Sequence, residues 1–259
     1  MKNKVIITGY PKSGNTWLTR LIAEALDSRV IGFYNEPDNE EEAIEGLERN
    51  GVFEVFKSHS PPPLIRRKEP NAHIISIVRD PRETYASSIR FFNLSRYHAK
   101  RRFNQHLPFR TFYMILDHVT NGKKNQRRRL RNAFLFGDWK VHPHLGISWN
   151  EFYSFSKQKN NETAIIRYES LLEKPEKTLQ TLFDSLGIEV SKPLLEKAIF
   201  NQSFSRKKNE LQKLNLPRKA NFLKSGKTDS WRESITTNES DTLWGNCSVI
   251  AESLGYKGH

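Results

Sequence analysis

The sequence predicts a single α/β domain spanning residues 1–259: a central, mostly parallel sheet with helices on both faces and a P-loop-like phosphate-binding loop. Three observations predict it. Short β-branched runs alternate with stretches of helical periodicity, the pattern of strands covered on both sides by helices. The first strand candidate runs straight into a glycine-bearing turn and then a helix. The chain is long enough for one sizeable core, and no internal repeat or Pro/Gly/Ser-rich linker divides it.

The elements follow in order. Lys4–Thr8 is a buried strand ending at Gly9, and Thr16–Leu26 carries a helical stripe of Trp17, Leu18, Leu21, Ile22 and Ala25. Asn35–Glu48 is acidic and reads as surface loop plus helix. Val52–Lys57 is a second strand, stopped by Pro61-Pro62-Pro63, and His73–Val78 is a third. Asp80-Pro81-Arg82-Glu83 has the form of a capped helix start, with Asp80 as N-cap, Pro81 first in the helix and Glu83 the returning partner. Trp149–Phe155 reads as helix and Ala164–Arg167 as strand. Tyr168–Leu172, Pro175–Leu186 (ended by Gly187) and Pro193–Phe200 are successive helices. Leu216–Thr228 is a Gly/Lys/Ser loop, and Asp241–Leu254 is the last helix.

Charged residues at 27%, hydrophobic at 36% and aromatic at 11% suit a folded protein with a wet surface and exclude a mostly disordered one. No apolar run approaches the roughly 20 residues of a membrane span. Val5–Thr8 is too short for the apolar part of an export signal, so a cytoplasmic protein is expected. The single cysteine, Cys247, excludes an internal disulfide framework and a thiolate metal cluster. A net charge of +13 implies anionic partners, with nucleic acid, acidic lipid, an anionic cofactor and an anionic acceptor all open.

The segment Gly9-Tyr-Pro-Lys-Ser-Gly-Asn-Thr16 narrows the choice. Between a strand and a helix, it can wrap backbone N–H groups around an anion. Its spacing fits the nucleoside-triphosphate loop G-x-x-x-x-G-K-S/T at Gly9, Gly14 and Thr16, but Asn15 stands where the lysine belongs and the positive charge sits at Lys12. A kinase or nucleotidase using magnesium-ATP, with Asp80 as its metal carboxylate, is one reading. A nucleic-acid-binding protein built on the basic run Lys123–Arg131 is another, although that run has almost no interleaved aromatics for base stacking.

Tyr10-Pro-Lys-Ser-Gly-Asn-Thr-Trp17 resembles the 5′-phosphosulfate loop of the cytosolic-type sulfotransferases, usually written Y-P-K-S/A-G-T/N-T-W. Val78-Arg-Asp-Pro-Arg-Glu-Thr-Tyr-Ala-Ser87 is similar to the family's 3′-phosphate segment, whose arginine and serine fall on Arg79 and Ser87. Phe56-Lys-Ser-His59 is similar to the K-T-H element that carries the catalytic base. Arg167-Tyr-Glu-Ser-Leu matches R-Y-E-D-L with Ser170 for Asp. Phe222-Leu-Lys-Ser-Gly-Lys-Thr-Asp-Ser-Trp231 resembles the late R-K-G-x-x-G-D-W loop, with Lys224 for the arginine and Ser225 for the lysine.

The resemblance implies transfer of a sulfuryl group from 3′-phosphoadenosine 5′-phosphosulfate (PAPS) to a hydroxyl or amine of a small-molecule acceptor: an alcohol, phenol, sugar, alkaloid or other natural product. Adenosine 3′,5′-bisphosphate (PAP) is then the product, with neither metal nor nucleic acid required. Lys12, Ser13, Gly14, Asn15 and Thr16 would hold the 5′ end. Arg79 and Ser87, with Phe222, Leu223, Lys224, Ser225 and Gly226, would hold the 3′-phosphate, and Trp17 and Tyr168 would flank the adenine. His59 would be the general base, with Lys57 and Lys12 meeting the departing phosphate charge. Lys57 and His59, two apart on a strand, are expected to leave the same side. The basic segment Arg96–Arg131, between the 3′-phosphate segment and Trp139–His144, is expected to be a lid or wall over the acceptor pocket, or else a surface insertion or an oligomer contact.

Overall fold

Residues 5–7 and 74–77 are apolar at successive positions except Ser76, and a strand can bury such a run only if both its faces are covered. In the computed structural model, which describes residues 3–34, 45–92, 122, 125–157, 162–213 and 229–258, they lie in two adjacent interior strands of the sheet. The elements are β1 Asn3–Thr8, α1 Asn15–Ala25, β2 Arg29–Phe33, β3 Phe53–Ser58, α2 Pro62–Lys68, β4 His73–Val78, α3 Pro81–Phe91, α4 over residues 125–136, α5 Trp149–Tyr153, β5 Ala164–Arg167, α6 Tyr168–Glu173, α7 Pro175–Leu186, α8 Lys192–Asn201, α9 Phe204–Lys213 and α10 Thr237–Ser253. The sheet order is β2-β3-β1-β4-β5, and every neighbouring pair is parallel. From β1 the chain moves to β2 and β3 on one side. It then crosses to β4 on the other, so β1 and β4 flank a reversal of strand order, where open α/β sheets bind ligands at their carboxyl ends.

The chain gathers into two compact units, residues 1–79 with 158–228 and residues 80–157 with 229–259. The first holds the sheet. Val5 and Ile7 of β1, Val55 of β3 and Ile75 and Ile77 of β4 face one side, with Leu18, Leu21 and Ile22 of α1, Leu179 and Phe183 of α7 and Leu195 of α8. Ile6, Ile74 and Phe56, one residue out of phase, face the other with Ile65 of α2. Helices therefore cover both faces, as the sequence predicts.

Several elements depart from expectation. Edge strand β2 is an addition; Gly32 interrupts its apolar run and its register shifts between Val30 and Gly32. The prolines expected only to stop β3 also start a helix, because Pro62 and Pro63 occupy first-turn positions that need no N–H donor. The basic run through Arg131 continues into α4, where Leu130, Ala133, Phe134 and Leu135 are buried beneath the charges. Arg127 forks onto the Glu239 carboxylate, Nη2 to Oε2 at 2.6 Å and Nε to Oε1 at 3.2 Å. Helix α9 is a further addition. The remainder of the lid segment up to residue 121, the acidic stretch 35–44 and the loop 214–228 lie outside the described residues.

In the second unit, α3 starts as expected at Asp80 and Pro81, but the returning partner does not. Asp80 accepts the Arg82 backbone N–H at 2.8 Å and also holds the Arg82 guanidinium, Nε to Oδ1 at 3.0 Å and Nη2 to Oδ2 at 2.7 Å. Glu83 turns instead to the chain just after residue 228. It accepts the buried Trp231 N–H at 2.9 Å and the Ser230 hydroxyl at 3.0 Å, partners that a buried carboxylate needs more than a helix-end amide does. A capping box does form at α10, between Thr236 and Glu239. Among the described residues no helix is long and apolar enough to cross a membrane. Replacing Glu83 by Ala strands the Trp231 N–H and should destabilise the fold by about 1–3 kcal/mol. Thermal denaturation checks this, and an unchanged midpoint would show that the bond to Trp231 contributes nothing.

Candidate active site

Strands β1, β3 and β4 end side by side, and each hands its next residues to one site. The turn after β1 is tight. Lys12 takes φ 73° and Gly14 φ 105°, left-handed conformations that curl the backbone N–H groups inward. Gly9 has no room for a side chain: a Cβ there would lie 2.3 Å from Asn15 Oδ1 and 2.5 Å from the Ile77 carbonyl. A Cβ on Gly14 would meet Tyr168 Cδ2 at 2.6 Å. Helix α1 then begins with no side-chain cap and no acidic residue in its first turn. A helix start of this kind, with N–H groups and the positive end of the dipole left uncapped by a side chain, is suited to receiving an anion.

Lys57, near the end of β3, is buried; its ammonium donates to Thr16 Oγ1 at 2.8 Å and lies 4.5 Å above the Phe33 ring. In a magnesium-nucleotide loop that hydroxyl binds the metal. Here a lysine occupies it. Asp80, the other residue of that reading, has its carboxylate engaged by Arg82. Among the described residues no cluster of three or more His, Cys, Asp or Glu side chains could hold a metal.

His59 does not share the strand with Lys57. β3 ends at Ser58, so His59 leaves from the following turn, which is tied to β1 by the Thr8 hydroxyl donating to the Ser60 carbonyl at 2.6 Å. The two side chains still reach the same loop at different points. Lys57 meets Thr16, while His59 Nδ1 lies 3.0 Å from the Gly9 carbonyl and 3.0 Å from Asn15 Nδ2. Asn15 Nδ2 in turn donates to the Gly9 carbonyl at 2.7 Å. The Asn15 side chain is thus engaged within the loop, and what residue 15 offers an anion is its backbone N–H.

Arg79 follows β4 directly. Its guanidinium stacks 4.3 Å over the Tyr168 ring, and Nη1 reaches the Lys12 carbonyl at 3.5 Å. Tyr168 meets Trp17 edge to face with centroids 5.5 Å apart, and the Trp17 indole donates to the Gln202 carbonyl at 2.9 Å. The first unit therefore brings together Lys12, Ser13, Gly14, Asn15, Thr16, Trp17, Lys57, His59, Arg79 and Tyr168. Ser87 lies half-buried on α3 in the second unit, and Phe222, Leu223, Lys224, Ser225 and Gly226 fall outside the described residues. Sequence reasoning missed Phe33, the aromatic floor under Lys57 and neighbour of His59 at 5.9 Å between centroids; recognising β2 would have exposed it.

A family profile described as "Sulfotransferase domain" matches residues 2–244. The chain belongs to the sulfotransferase family. Its curated relatives include Sulfotransferase 1E1 of Cavia porcellus, 22% identical over 91% of this chain and 79% of that protein. Sulfotransferase 2A1 of Macaca fascicularis is also 22% identical, over 92% of this chain and 81% of that one. Among solved structures, mouse sulfotransferase SULT7A1 complexed with PAP superimposes with a TM-score of 0.63 at 21% identity, covering 97% of this chain and 84% of that one. Retinol dehydratase in complex with androsterone and the inactive cofactor PAP gives 0.52 at 15% identity, covering 98% and 82%. Those likenesses establish a common fold.

For this sulfotransferase the two glycine positions carry a direct test. Gly14→Ala would place a Cβ against Tyr168 in a left-handed conformation, a strain of about 1–3 kcal/mol. The variant should melt earlier and lose most of the thermal protection that inorganic pyrophosphate gives the parent. Full retention of that protection would contradict the loop's assignment as an anion cradle.

Proposed function

We propose that this sulfotransferase moves a sulfuryl group from PAPS to a hydroxyl or amine of a small-molecule acceptor, with His59 as general base. The observation that carries the reading is the setting of His59. Its ring nitrogen Nδ1 lies 3.0 Å from a backbone carbonyl of the phosphate loop, which sets the imidazole, a group suited to taking a proton near neutral pH, beside the turn that would hold the donor. The cradle suits the donor's 5′ end: an uncapped helix start, a left-handed turn at Lys12 and Gly14, and the Lys57 ammonium at Thr16. Arg79, stacked on Tyr168, would offer its planar fork to the 3′-phosphate, and Ser87 and residues 222–226 are proposed as further contacts from the sequence resemblance alone. Trp17 and Tyr168 would flank the adenine.

The donor supplies a sulfuryl group on a phosphate leaving group. His59 accepts the proton of the incoming hydroxyl or amine. Lys57 and Lys12 offset the negative charge that grows on the departing oxygen, an electrostatic task done elsewhere by metal ions. The contact of Lys57 with Thr16 supports this division over a magnesium-nucleotide kinase, because it assigns leaving-group charge to a protein cation.

His59→Ala should bind donor almost normally and turn over about 10²-fold or more slowly, the usual scale for a lost acid–base group. The measurement is transfer of labelled sulfuryl from PAPS across a panel of phenols, alcohols and amines, with donor affinity determined in parallel. Near-normal turnover of His59→Ala would remove it from the mechanism.

A further inference from the structure

His59 Nδ1, Asn15 Nδ2 and the Gly9 carbonyl oxygen form a closed triangle with sides of 3.0, 2.7 and 3.0 Å. Two hydrogen-bonding schemes compete for it. If Nδ1 is bare, Asn15 must donate to both His59 and Gly9. If Nδ1 carries its proton, Asn15 and His59 both donate to Gly9.

The triangle favours the second. Its near-equal sides put the two acceptors of the first scheme about 60° apart as seen from Nδ2, whereas the hydrogens of a planar amide diverge by about 120°. Both bonds would be bent well below the linearity that gives them strength. In the second scheme each donor has one target and the carbonyl has two lone pairs to receive them, at the cost of setting the two donor nitrogens 3.0 Å apart. Exchanging the oxygen and nitrogen of the Asn15 amide offers no escape, because Oδ1 would then face the Gly9 oxygen at 2.7 Å. Asn15 is 4% exposed, and its Oδ1 has no hydrogen-bond partner among the described residues, so the amide is held by the nitrogen that grips Gly9.

We infer that Asn15 is a positioning residue: by fixing the Gly9 carbonyl it keeps the His59 proton on Nδ1 and leaves Nε2 as the basic nitrogen. This rests on the reading of His59 as the base. It gives a purpose to the amide that stands where nucleoside-triphosphate loops carry lysine. The loop that receives the anion also sets the tautomer of the group that takes the proton.

Nitrogen-15 NMR of the imidazole reports the tautomer without reference to activity. In the parent, His59 should show a protonated Nδ1 and a bare Nε2, and Asn15→Ala should show mixed tautomers with kcat reduced about tenfold or more and the donor KM changed less. Asn15→Asp covers the case in which the alanine variant does not fold. Its carboxylate cannot donate to Gly9 but can accept the Nδ1 proton, so the His59 titration and the acid limb of kcat should both move to higher pH by about one unit or more. A bare Nδ1 in the parent, or an unaltered tautomer and titration in the variants, would overturn the role of Asn15 even if His59→Ala is inactive. An active His59→Ala with the tautomer still following Asn15 would instead overturn the assignment of His59 as base.

Discussion

The site depends on one close approach: the turn leaving β1 is pressed against the ends of its two neighbouring strands with no side chain between. Gly9 is the point of contact. The Cβ it lacks would collide with Asn15 on one side and with the Ile77 carbonyl of β4 on the other. That absence lets the Gly9 carbonyl meet His59 beyond β3, and lets the loop sit two residues of β4 away from Arg79. A parallel sheet makes this convergence available, since every strand ends at the same edge and β1 and β4 flank the reversal of strand order. A larger residue at position 9 would push the turn away from Asn15 and from β4.

Charge is arranged by the same economy of contacts. The cations near the cradle are steered by aromatic faces: Lys57 lies over Phe33 and Arg79 over Tyr168. Each ring limits where its cation can go. In the second unit the arrangement reverses. Arg82 also faces aromatic rings, Trp231 and Trp244 at 4.7 Å each, but Asp80 is paired with it, which suits a structural joint. The Asp80 carboxylate and the two indole rings together use the Arg82 charge to hold this part of the fold.

Much of this was legible in the sequence where one physical cause dominates. The strands His73–Val78 and Ala164–Arg167 and the helix Pro175–Leu186 lie where periodicity, proline and the left-handed Gly187 place them. The loop residues, Lys57, Arg79 and Tyr168 were singled out by the family resemblance, and the first unit brings them near one another. Sequence failed where two causes compete. Pro62 and Pro63 end one element and begin another. Gly32 breaks the apolar signature of β2 although the strand persists at the sheet edge. The arginines before Leu130 mask the buried stripe of α4. Glu83 has the spacing of a cap partner, but a buried N–H far along the chain claims it. The alliance of Asn15 with His59 joins residues 44 apart. Only the pairing of β1 with β3 brings them together, so no local pattern could announce it.

The proposed reaction requires a site that recognises, without a metal, a nucleotide phosphorylated at both its 3′ and 5′ positions. Calorimetric titration with adenosine 3′,5′-bisphosphate, in chelator and again in magnesium, with adenosine 5′-monophosphate as the comparison, tests it most directly. The expected result is the same affinity for the bisphosphate in both buffers and binding at least about tenfold weaker for the monophosphate, the scale of one charge-assisted contact to arginine. A strict requirement for magnesium, or equal affinity for the two nucleotides, would contradict it.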